Sequence, residues 1–86
     1  MKVQNMQSAQ GNDIANQFII TDGNKETFQS YQSIIAINEG GKITLDENKW
    51  DYSVTTGKYR NKFLGEGIAI TRKKIQAGEY VLADLN

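Results

Sequence analysis

Two adjacent glycines, Gly40 and Gly41, set between runs of β-forming residues, do most to limit what this chain can fold into. The stretch from Thr27 to Ile37 is rich in β-formers and partly alternates. Asn38-Glu39-Gly40-Gly41 interrupts it, and Lys42-Ile43-Thr44-Leu45-Asp46 resumes it. A two-residue turn that needs positive φ favours glycine, and its twist suits an antiparallel pair, so the pattern predicts a hairpin. With Gly40 and Gly41 as the turn, Ala36 faces Leu45 and Asn38 faces Ile43. The two-residue period of a strand then gathers Ile34, Ala36, Ile43 and Leu45 on one side, with Tyr31, Ile35 and Ile37 on the other. Apolar residues on both sides predict a strand covered on both faces and central in its sheet.

Other elements follow from the same signals. Gln17-Phe18-Ile19-Ile20-Thr21, closed by Asp22-Gly23-Asn24, reads as a strand, and Glu79 to Leu85 alternates as a last one. Between them, Ser53 or Thr55 can cap a helix running roughly from Thr56 to Leu64, with Gly65 suited to the left-handed position beyond its end. On a helical wheel Tyr59, Phe63 and Leu64 form the apolar arc, Lys58 and Lys62 lie outside it, and Arg60 points at or beside the buried side and so needs a partner. Thr71 can cap a second short helix, Arg72 to Ala77, that Gly78 ends. Its cations sit at the N-terminal end, where the helix dipole disfavours them, so helix stability does not explain them. Residues 1–15, rich in Gln, Asn, Ser and Gly without apolar periodicity, read as a flexible N-terminal arm. The expectation is one α+β domain over residues 16–86, a small antiparallel sheet of three to four strands with one main and one short helix on one face.

Composition removes several kinds of function. A chain of 86 residues without Cys or His has no disulfide, no thiolate or imidazole metal site and no histidine base. No pair of carboxylates has a spacing that marks an active site, and the chain reads as a non-enzyme with no cofactor and no metal. Gly57-Lys58 lacks the rest of a phosphate loop, since Tyr52 stands where the first Gly belongs and Tyr59 where Ser or Thr belongs. Asp22, Asn24 and Glu26 have calcium-loop spacing, but Thr27 replaces the required Gly and Ser33 the terminal acid. No apolar run approaches the ~20 residues that span a bilayer, and the N-terminus lacks the core of a secretion signal, so a cytoplasmic protein without membrane contact is expected. A domain this small can also complete its core with a second copy, which makes a homodimer a candidate state.

The residues that ask for a function lie between Trp50 and Gly65, WDYSVTTGKYRNKFLG, which hold four of the eight aromatics. Residues 58–74 carry six of the ten cations, with Glu66 the only acid among them, although the formal net charge of the chain is zero. Aromatics beside cations suit recognition of acidic surfaces, anions or bases, so the candidate partner-binding residues are Trp50, Tyr52, Lys58, Tyr59, Arg60, Lys62, Arg72, Lys73 and Lys74. Each has a plainer reading. Trp50, Tyr59 and Phe63 suit a core, Arg60 can pair with Asp51 or Asp46, and the lysines can form a solvated face.

The run W-D-Y-S-x-T-T-x-K-Y-R-N-x-F-L-G, with FQSYQSIIA and KITLD before it and KKIQAGEYVLADLN after it, resembles a family of small uncharacterised proteins of bacteriophages and other bacterial mobile elements. The likeness runs from about Asn16 to Asn86. It transfers no catalytic or binding role to any position; what it implies is context. That context is a small viral protein in the host cytoplasm that binds a host macromolecule, with inhibition of a defence system such as a CRISPR nuclease as the sharpest case. The partner expected is a host or defence protein, or its nucleic-acid complex. Two other readings stay open: a nucleic-acid-binding accessory protein that uses the basic 58–74 region, and a virion structural or assembly component.

Overall fold

The computed structural model describes residues 1–86. In chain order the elements are β1 (Lys2–Gln7), β2 (Asp13–Asp22), β3 (Lys25–Ser30), β4 (Ser33–Glu39), β5 (Lys42–Asp46), α1 (Val54–Leu64), α2 (Ile68–Gln76) and β6 (Val81–Ala83). All six strands join one sheet in the order of the sequence; β1 to β5 are antiparallel neighbours and β6 runs parallel to β5. This mixed six-stranded sheet overturns the expected antiparallel sheet of three to four strands.

Three local causes account for the difference. Residues 2–7, polar enough to read as part of a flexible arm, pair with β2 and bury Met6 in the core. The stretch Thr27–Ile37 is not one strand. It breaks at Tyr31-Gln32 into β3 and β4, a turn without Gly, Pro, Asn or Asp in which Tyr31 takes a φ of 56° and donates its N–H to Asn16 O at 2.7 Å. Finally, the α1–α2 segment carries the chain back to the starting end of β5, so that the last strand aligns parallel to it, as a helical crossover requires.

The predicted hairpin has the expected register, Ala36 opposite Leu45 and Asn38 opposite Ile43, with φ of 60° at Gly40 and 89° at Gly41. Its sidedness differs at one point. Phe28 faces Ala36 while Gln29 faces Ile34, so Ile35 is an extra residue in a β-bulge. Ile35 and Ala36 are both fully buried, and Ile34 instead shares the side of Gln29.

Directly opposed residues share a face, so Ile19, Phe28, Ala36 and Leu45 form an apolar row across four strands. Tyr59, Phe63 and Leu64 of α1 and Ile75 of α2 pack against this side, with the rings of Phe28 and Phe63 stacked at 5.8 Å between centroids. A buried hydrogen bond of 2.9 Å between the hydroxyls of Ser30 and Thr56 fixes α1 on β3. Both helices thus cover one face. β4 is interior to the sheet, as expected, but its second face carries no helix, which corrects the expectation of cover on both sides.

The chain end is fastened at β5. Asp46, almost fully buried, accepts the N–H of Leu85 at 2.8 Å and of Asn48 at 3.2 Å, and the Asn86 side-chain amide bonds both backbone groups of Ile34. Because Phe28 holds the sheet and α1 together, Phe28→Ala is expected to lower unfolding free energy by about 3–5 kcal/mol in chemical denaturation. The same measurement on the highly exposed Val54→Ala is expected to show a change within about 0.5 kcal/mol.

Candidate functional site

The Trp50–Gly65 segment begins as a turn leaving β5 and becomes α1. Ser53 is the N-cap: its Oγ accepts the N–H of Thr56 at 3.1 Å, which starts the helix at Val54 rather than Thr56. Gly65, at φ 71°, ends it by donating its N–H to Asn61 O.

Under this helix lies Arg60, 1% exposed. Its guanidinium donates to Trp50 O at 2.8 Å, Asp51 Oδ1 at 3.1 Å and Asn61 Oδ1 at 2.8 Å, and sits 5.5 Å from the centroid of the Trp50 ring. A planar fork with several donors can bind three acceptors and an aromatic face at once, which an ammonium cannot do. The other oxygen of Asp51 accepts from Arg72 of α2 at 3.2 Å, so one carboxylate links both helices. The plainer reading of Arg60 is therefore the one observed: it pairs with Asp51 and holds the segment together.

The remaining candidates separate. Trp50 and Tyr59 are half-buried against the core. Lys74 bonds Glu66 at 2.8 Å, where the Glu66 carboxylate also accepts from Thr71 at 2.7 Å and Tyr80 at 2.9 Å. Lys62 is exposed, faces β1 and donates to Gln7 O. Tyr52, Lys58, Arg72 and Lys73 are exposed. Tyr52 and Lys58, with Val54 and Ile68, rim a shallow hollow of about 590 Å³ floored by Gly57 and Arg60. The Arg72–Asp51 pair places α2 at its margin. The nine candidates are thus split into a buried hub, a Glu66 cluster and an exposed rim.

Sequence reasoning missed Asp51 as a shared carboxylate, and also Val54 and Ile68. Val54, 92% exposed, falls in line with Lys58 and Asn61 once Ser53 sets the helix start, so an aliphatic residue on the polar stripe was the signal. Ile68 lies outside the expected second helix, Arg72 to Ala77; α2 starts at Ile68 after Gly67, without a side-chain cap.

No three Cys, His, Asp or Glu side chains converge as a metal site, and no helix is long and apolar enough to cross a membrane. A single-sheet α+β domain with a polar hub beneath an amphipathic helical face is the class that fold and site define. The chain belongs to the family of unknown function DUF8033, whose model matches residues 1–79 and so includes β1. Neither the curated proteins nor the solved structures give a match.

Two carboxylates carry a pH signature. Burial pushes Glu66 up, but hydrogen bonds from Lys74, Thr71 and Tyr80 outweigh it and hold its pKa below the ordinary 4.5. Burial likewise opposes ionisation of Asp46, yet the N–H groups of Leu85, Asn48 and Lys49 and the Asn86 side chain hold it below 3.8. A depressed folded-state pKa contributes stability that is complete above the unfolded value and is lost as pH falls through the folded one. Urea midpoints are accordingly expected to be level above about pH 5 and to fall below the ordinary values of 4.5 and 3.8, with Glu66→Gln and Asp46→Asn each flattening the fall. For the hub, Arg60→Lys is expected to cost about 1–3 kcal/mol by leaving part-buried acceptors unpaired and an ammonium in a buried site, whereas the exposed Arg72→Lys costs under about 0.5 kcal/mol in the same titration.

Proposed function

We propose that this protein is a small binding domain that docks an acidic protein surface on the helical face carrying Tyr52, Val54, Lys58 and Arg72. The observation that carries the reading is the company these side chains keep. Val54, and Tyr52 at 48% exposure, stand in solvent beside Lys58 at the rim of one hollow. Apolar contact area bordered by cations is the composition of a protein interface, in which a few aromatic and basic anchors supply most of the affinity. Zero net charge argues in the same direction, since binding to a nucleic-acid backbone draws on many neutralised phosphates.

The buried hub supports the reading from below. Arg60, Asp51 and Ser53 hold the turn and the first turn of α1 in place, so the rim residues are presented on a rigid frame and lose little freedom on docking. The resemblance of Trp50–Gly65 to small bacteriophage and mobile-element proteins favours a bacterial host protein as the partner, with a defence enzyme such as a CRISPR nuclease the sharpest case.

Affinity capture from bacterial lysate, with wild type and a Tyr52→Ala/Lys58→Glu variant of matching circular dichroism, tests the proposal. The expected result is an acidic protein retained by the wild type and weakened at least about tenfold in the variant. Identical capture by both, or a nucleic acid as the retained species with steep loss in salt, counts against it.

A further inference from the structure

The face of the sheet opposite the helices is patterned for a second copy of itself. Register places Val3, Ile20, Thr27, Ile37, Thr44 and Val81 side by side, one from each strand. Beside this row, at the turn end, the paired residues are Asp22, Lys25, Glu39 and Lys42, one from each of β2 to β5. Antiparallel sheets that face water on one side carry polar residues there. Here a β-branched row crosses the whole sheet, exposed at its ends (Val3 57%, Val81 45%), half-buried at Ile20, Ile37 and Thr44, and buried at Thr27 (8%). Neither helix reaches it. Leu85 borders it at a shallow hollow shared with Lys25, Ile37, Glu39, Lys42 and Thr44.

The order of the charges decides what fits. Across the strands they run negative, positive, negative, positive, and none takes part in the three ion pairs of the fold. A twofold axis parallel to the strands, midway between β3 and β4, reverses that order in a facing sheet. Every charge then meets its opposite: Asp22 meets Lys42 of the second copy, and Lys25 meets Glu39. The same axis halves the β-branched row, so Val3 meets Val81, Ile20 meets Thr44 and Thr27 meets Ile37, each isoleucine opposite a smaller threonine. A twofold axis across the strands offers no such match, because it turns the charged row onto the end of the sheet that carries Phe18, Gln29 and Ile34.

We propose that the protein forms a face-to-face homodimer through this open sheet surface, with a twofold axis along the strands between β3 and β4. Two facing sheets in aligned packing make a sandwich about 10 Å thick between layers, and the helices, with the proposed docking face, remain on the outside. Self-complementarity of one patch is what an isologous interface requires.

Asp22 and Lys42 supply the test, because within one chain they stand three strand spacings, about 14 Å, apart and so cannot compensate each other. Sedimentation equilibrium of the full chain is expected to give twice the 9.6 kDa chain mass for wild type. Asp22→Lys alone and Lys42→Glu alone each place like charges opposite one another twice per dimer, and each is expected to raise the dissociation constant at least about tenfold. An equimolar mixture of the two variants restores opposite charges at every contact, and is expected to recover the doubled mass. Tyr52→Ala/Lys58→Glu, on the other face, leaves the dimer intact, so failure of the docking proposal and failure of this one are read separately. A monomer for wild type at every concentration overturns the proposal, as does a dimer that the single variants leave unchanged or a mixture that stays monomeric.

Discussion

The turn leaving β5 and the start of α1 are organised around one buried guanidinium. A charge as hidden as that of Arg60 is costly unless its donors are matched; the backbone of Trp50, the carboxylate of Asp51 and the amide of Asn61 accept from its two terminal nitrogens, while the buried Nε has no partner. These acceptors belong to the turn and to α1, so the arginine joins the turn to a helix that Phe63 and Thr56 already hold on the sheet. The second oxygen of Asp51 reaches Arg72 of α2 in an exposed pair, a minor tie beside the packing of Ile75 on the core. The Trp50 ring closes the site from the side and packs against the core, so its indole completes both. A segment that reads as a basic, aromatic recognition strip is therefore divided by depth. Its interior holds the fold, and its rim is left for contact.

The sheet imposes the second constraint. Six strands with helices on one side leave a broad surface on the other, bordered by Leu85. A polar face would need no cover, but this one carries a β-branched row from edge to edge. The bulge at Ile35 sharpens the division. By giving β4 one extra residue it buries Ile35 and Ala36 in the helix-side core and turns Ile34 to the open side. The two proposals thus rest on different faces and different chemistry: a helical rim of mixed aromatic and basic character, and a sheet face whose charges alternate.

Local chemistry made some of this legible in advance. Gly40-Gly41 and its flanks gave the hairpin and its register, because that turn type demands glycine, and Gly65 marked the end of α1, while its start stayed open between caps at Ser53 and Thr55. The helical wheel separated Tyr59, Phe63 and Leu64 from Lys58 and Lys62. What escaped depends on neighbours distant in sequence. β1 has only Val3 and Met6 as apolar residues and becomes a strand because β2 offers it a partner. The turn at Tyr31-Gln32 has no turn signal and is held by the carbonyl of Asn16. The burial of Arg60 was half visible, since its wheel position required a partner, but the choice of Asp51 over Asp46 came from the turn geometry, with Asp46 already engaged by Leu85.

The central claim, that the aromatic and basic segment is organised inward around Arg60, is open to one direct observation because Trp50 is the only tryptophan. Fluorescence of the native wild-type chain, titrated with acrylamide, reads the exposure of that indole. Blue-shifted emission and quenching well below that of the urea-unfolded chain are expected, since the ring lies between the guanidinium and the core. Native emission and quenching equal to those of the unfolded chain would contradict the inward organisation around Arg60.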